Sequence, residues 1–185
     1  MRRLLIVAAL LLAAPAGLRA TVVIPIEFRE LVTTTPIIVH GHVTDVRAAF
    51  VDGRRSVDTF VTVAADEYLK GDLGDYVTFR VPGGELGRYR TIFLGAPEFR
   101  VGEEVVLFLK TLPGQAPFVA GLNQGAYRIV ENAQTRQRMV TSPVVMSRDG
   151  VESEPVVRGA AARRPIAYEA FRDIVRGVLA KGAAK

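Results

Sequence analysis

His40 and His42 are the only two histidines in the chain. They stand two residues apart in Ile37–Val46 (IIVHGHVTDV), a run that alternates as a β-strand does, so both rings leave the same face. Two imidazoles on one strand face can reach one metal ion, and imidazole suits zinc, copper or nickel. A protein site takes three or four ligands, and the spacing names no third. Asp45 falls on the opposite face by alternation. The competing reading is a pair of polar side chains on an exposed strand.

Other chemistry finds few residues to carry it. There is no cysteine, which removes a thiol nucleophile, disulfides and any thiolate metal site. No Gly-x-Ser-x-Gly elbow is present, and a Ser-His-Asp arrangement would have to use His40 or His42 with one of few serines. Asp66/Glu67 and Glu103/Glu104 are sequence neighbours. Neighbours on a strand point to opposite faces, so neither pair acts together unless a bulge intervenes. Pro82-Gly83-Gly84-Glu85-Leu86-Gly87 is neither a phosphate loop nor a dinucleotide fingerprint, and reads as a strand end and a sharp turn. A hydrolase of unrecognised type is thus the weakest of the functional readings.

The segment from Gly83 to Gly102 is the strongest candidate for binding. It is long for a connection inside a compact domain, and such loops are functional or hide a strand, here over Thr91–Leu94. Arg88, Tyr89, Arg90 and Phe93 mix charge with aromatic rings, the composition enriched at protein interfaces. The competing reading is that Phe93, Pro97 and Phe99 plug the end of a barrel.

The elements that must position these residues are mostly strands. After Ile37–Val46, strands are expected at Val57–Leu69, Tyr76–Val81, Glu104–Lys110, Phe118–Gly121 and Ala126–Val130, with one or two more in Arg138–Met146. Turn signals at Asp52-Gly53, Lys70–Asp75, Pro82–Gly84 and Pro113-Gly114 separate them. A short helix is expected over Glu27–Val32, stopped by Pro36. Pro165 suits the first turn of a second helix, in which Ala167, Phe171, Ile174 and Val178 recur at helical spacing. Five or so main strands joined by short turns and one long connection predict a mainly β fold, a small OB-like closed barrel with a C-terminal α-helix docked on it.

Arg2 and Arg3 precede an unbroken apolar run of eleven residues, Leu4–Ala14, and small residues follow, with Ala20 suiting a cleavage site. The run is shorter than the ~20 residues of a membrane span, so residues 1–20 read as a signal peptide and the protein as periplasmic or secreted. The barrel is then expected over 21–150, a linker over 151–164 and the helix over 165–181. Without Arg2, Arg3 and Arg19 the balance is 21 basic against 19 acidic side chains, a net charge of about +2. That is too small to demand nucleic acid as a partner.

The series Ile38-Val39-His40-Gly41-His42-Val43, Leu69-Lys70-Gly71, Val81-Pro82-Gly83-Gly84, Gly95-Ala96-Pro97-Glu98-Phe99, Gly102-Glu103-Glu104-Val105-Val106-Leu107-Phe108-Leu109 and Gly121-Leu122-Asn123-Gln124-Gly125 resembles a group of exported bacterial proteins of unknown function. Its first part is also similar to netrin-like and tissue-inhibitor-of-metalloproteinase domains, which implies an OB-type barrel. In those inhibitors an N-terminal cysteine and disulfides carry the protease-blocking chemistry, and this chain has neither. The combined expectation is a non-enzymatic binding or structural module of the cell envelope that needs no cofactor and contacts an unknown envelope or extracellular protein. The alternative is a zinc or copper protein built on His40 and His42.

Overall fold

The computed structural model describes residues 25–53, 55–143 and 165–183. The leader expected at 1–20 and the linker expected at 151–164 lie outside the described residues. Ten strands follow a short helix: α1 (Phe28–Thr34), β1 (Ile37–Val51), β2 (Ser56–Lys70), β3 (Tyr76–Val81), β4 (Gly84–Leu86), β5 (Tyr89–Thr91), β6 (Glu104–Lys110), β7 (Phe118–Val119), β8 (Ala126–Glu131), β9 (Arg138–Thr141) and β10 (Ile166–Ala167). Helix α2 (Tyr168–Ala183) ends the described chain.

The barrel closes in the order β1-β2-β3-β7-β6 and back to β1, five strands, compatible with an OB-like fold. Its seam is narrow. β3 meets β7 in parallel through Arg80 and Phe118 alone, helped by the Arg80 amide donating to the Pro117 carbonyl at 2.8 Å. The alternation read from β1 holds on both faces. Ile37, Val39 and Val43 point into the barrel with Val61, Val63, Phe79, Leu107 and Leu109. Ile38 points outward, yet it is buried as well, beneath a second apolar layer with Phe108, Tyr127, Phe171 and Val175. Burial on both faces explains why β6 (EVVLFLK) reads as an unbroken apolar run.

Helix α2, with Leu31 and Val32 of α1, covers that outer face. Tyr168, Phe171 and Val175 form its buried stripe, and the Phe171 ring meets Phe28 edge-on at 5.5 Å. Full burial of such a side chain contributes on the order of 1.5–3 kcal/mol. Two expectations are corrected here. Ile174 is exposed, because the buried stripe lies one position away from it. Pro165 does not open the helix: Ile166 and Ala167 first pair with Val140 and Met139 at the edge of β9, and the helix begins at Tyr168. The first helix is shifted by a residue or two, and Lys70 Nζ closes its C-terminal end by donating to the carbonyls of Val32 and Thr33 at 2.9 and 2.8 Å.

Candidate functional site

The long connection after β3 begins with a hairpin laid against β1 and β2, near Phe50 and Val57–Thr59. Gly83 turns the chain at φ +90°, where a β-carbon would sit 2.9 Å from the Thr91 carbonyl oxygen. Its amide donates to buried Asp58 Oδ1 at 3.0 Å, its carbonyl accepts from Thr59 Oγ1 at 2.8 Å, and Val57 N donates to Thr91 Oγ1 at 2.9 Å. Asp58 also pairs with Arg80, which fixes the base of the hairpin to β3. β4 and β5 then pair through Gly84↔Thr91, Glu85↔Arg90 and Leu86↔Tyr89.

This anchoring presents the four residues singled out in the sequence. Arg88 lies over the Tyr89 ring at 5.1 Å and donates to its hydroxyl at 3.0 Å, while Tyr89 packs edge-on against Phe50 at 5.3 Å. Arg90 faces Glu85 at 3.9 Å, both in solvent. Tyr89, Ile92, Phe93 and Leu94 are between 46 and 70 % exposed. The two readings of the loop aromatics therefore divide. Phe99 is the plug, 8 % exposed and edge-on to Phe79 at 5.2 Å, whereas Phe93 stays outside. Sequence reasoning missed Ile92 and Leu94 as surface residues. The signal was available in three consecutive large apolar residues, Ile92-Phe93-Leu94, with no polar alternation to place them on a strand face. The strand foreseen at Thr91–Leu94 ends instead at Thr91, and β4 and β5 lie before it.

A groove of about 270 Å³ opens at the β3–β7 seam, lined by Val81, Pro82, Pro97, Phe118 and Leu122 among others. It falls just below the ~300–1,000 Å³ range of small-molecule sites.

The histidines lead into a different environment. His40 is buried and His42 is half exposed, with side-chain exposures of 5 and 49 %. His40 Nε2 donates to Glu104 Oε1 at 2.7 Å, and its ring stacks on Tyr168 of α2 at 4.5 Å. Arg138 Nη1 donates to the same Glu104 oxygen at 2.9 Å, and its guanidinium lies over the Tyr168 ring at 4.6 Å. His42 Nδ1 bonds Asp66 Oδ2 at 2.8 Å, and that oxygen lies 3.8 Å from His40 Nε2. Tyr168 donates to Glu67 Oε2 at 3.0 Å, and Arg176 donates to Glu67 Oε1 at 2.7 Å. Burial, and then the bond to Glu67, push the Tyr168 hydroxyl well above its ordinary range, which keeps it a donor.

Asp66 and Glu67 do reach one surface, against the simple alternation. Opposite His40 and Gly41, β2 offers Glu67 and Ala65, so Asp66 is the extra residue of a bulge. Glu103 and Glu104 do separate, Glu104 to His40 and Glu103 to Arg128 at 3.7 Å. Asp45 is not brought to the histidines; it lies 4.0 Å from Arg47. Among the described residues no group of three or more His, Asp or Glu side chains is arranged to hold a metal ion. The donors that meet here are held as hydrogen-bond and ion-pair partners, with the Arg138 guanidinium already on Glu104. The cluster ties α2 to β1, β2, β6 and β9.

No protein-family model, curated protein or solved structure matches the chain. Among the described residues no helix is long and apolar enough to cross a membrane.

Proposed function

We propose that this protein is an exported, non-enzymatic binding module of the bacterial cell envelope, periplasmic or secreted, that docks a protein partner through the β4–β5 hairpin and the residues after it. One observation carries the reading: Tyr89, beside Arg88 and Arg90, and then Ile92, Phe93 and Leu94 stand exposed on and just after a hairpin whose base is fixed by the Asp58–Arg80 pair. Grouped exposed apolar side chains mark interaction surfaces, and aromatic residues with arginine are the types that dominate interface energetics. A rigid base lowers the cost of ordering the loop on binding.

Export rests on the Arg2–Ala20 leader pattern and on the resemblance to exported bacterial proteins. The similarity to netrin-like domains supports the barrel and not protease inhibition. A module of this kind needs no catalytic residue and no cofactor. The test is capture from the cognate envelope fraction by the tagged protein, with zinc and copper measured on the same sample. A stoichiometric partner, lost with Arg90→Glu or Phe93→Ala while the fold survives, is the expected result. Equal capture by variants and wild type removes the hairpin from the account, and stoichiometric bound metal with no partner moves the function to His40 and His42.

A further inference from the structure

β1 outruns its neighbour. β6 accompanies it only over Ile37–His42. The last backbone bonds on that side are Val43 N to the Glu103 carbonyl at 2.9 Å and Gly102 N to the Val43 carbonyl at 2.8 Å. From Asp45 onward, strand pairing joins β1 to β2 alone among the described residues. An open strand edge is a template for another strand, and proteins blunt it with charged side chains, lysine above all, proline or bulges. Here a bulge falls at Thr44, where Val43 and Asp45 oppose consecutive residues Val63 and Thr62, and the charges beyond it, Asp45 and Arg47, are of opposite sign, so a neutral strand leaves them unmatched but a second copy complements them.

Asp45-Val46-Arg47 carries opposite charges two residues apart, 4.0 Å from each other and both more than half exposed. In an antiparallel pairing about a two-fold axis through Val46, Asp45 of each copy faces Arg47 of the other, and Thr44 faces Ala48. Centring the axis on Asp45 or Arg47 sets like charges face to face, and only the axis through Val46 pairs Asp45 with Arg47, so opposite charge favours that register. Val101, beside the Gly102–Val43 bond where the open edge begins, is an exposed apolar side chain.

We infer that two copies of this chain associate edge to edge through residues 44–48 of β1, with Val46 on the two-fold axis. The pairing is isologous, as a two-fold interface requires, and independent of the hairpin surface. Five facing residues per copy make a small interface, so the association is reversible and concentration-dependent.

Sedimentation velocity on the purified protein from about 1 to about 100 µM tests it, a range that brackets weak association. Wild type is expected to move from monomer toward dimer across the range. Arg47→Asp sets carboxylates face to face and is expected to weaken the dimer roughly tenfold or more, with an unchanged circular dichroism spectrum. The swapped pair Asp45→Arg/Arg47→Asp restores the complementary pattern and is expected to restore the dimer. Since the swap keeps the composition of the edge, it separates pairing from damage to the fold. A wild-type protein that stays monomeric throughout overturns the inference, as does a dimer indifferent to Arg47→Asp or one that the swap fails to restore.

Discussion

Replacing His40 and His42 one at a time by alanine separates a structural histidine from a metal ligand. His40 is buried, donates to Glu104 at 2.7 Å and stacks on Tyr168 at 4.5 Å. Its loss removes a hydrogen bond to a charged group, worth about 1.5–3 kcal/mol, and leaves Tyr168 facing a void. With the cavity added, His40→Ala is expected to cost about 3–4 kcal/mol. For a chain of this size that is a fall in Tm of roughly 6–16 °C. His42 is half exposed and bonds an exposed Asp66, so His42→Ala is expected to cost no more than about 1 kcal/mol. The assay is thermal and urea unfolding of both variants, each with and without a chelator. If a metal joined the two rings, both substitutions would cost alike and the chelator would reproduce the loss in the wild type. Either result refutes the reasoning given for the cluster.

Other expectations follow from single contacts. Asp58→Asn breaks a buried pair whose Arg80 partner is partly in solvent, and should destabilise by about 2–4 kcal/mol by urea unfolding, less than a fully buried pair would lose. Gly41→Ala places a β-carbon 2.1 Å from the Ala64 carbonyl oxygen at the bulge, so the soluble yield and Tm of that variant should both collapse. Burial pushes the Tyr127 hydroxyl up to about 12, against a lowering bond from Ser142. Because the folded state holds this proton more tightly than the unfolded state, its contribution is complete below about pH 10 and is lost as pH rises toward 12. The fall of Tm across that window should be shallower in Tyr127→Phe than in wild type, the remaining slope coming from Tyr168, whose hydroxyl is also pushed up.

Strands whose side chains meet solvent on one face, or on neither, were legible. Tyr76–Val81 alternates strictly and Glu104–Lys110 is apolar throughout, and both form over those bounds. β4 and β5 were not legible, because three-residue strands with polar, exposed side chains carry no periodicity. Ile166-Ala167 reads as helix by its neighbours and becomes a strand only because β9 offers an edge. Of the candidate sites, the exposure of Arg88, Tyr89 and Arg90 follows from composition, but the opposite fates of Phe93 and Phe99 depend on the barrel end. The partners of His40 lay far away in sequence, at Glu104, Arg138 and Tyr168. The bulge at Asp66 leaves no residue-type signal at all.

The most direct test of the binding role is site-specific photo-crosslinking in the native cell. A crosslinking residue replaces Phe93 on the hairpin or, as a control, Ile174, an exposed apolar residue of α2. A single discrete adduct with one envelope or extracellular protein from position 93, and none from position 174, is the predicted result. No adduct from position 93, or the same adducts from both positions, contradicts the account.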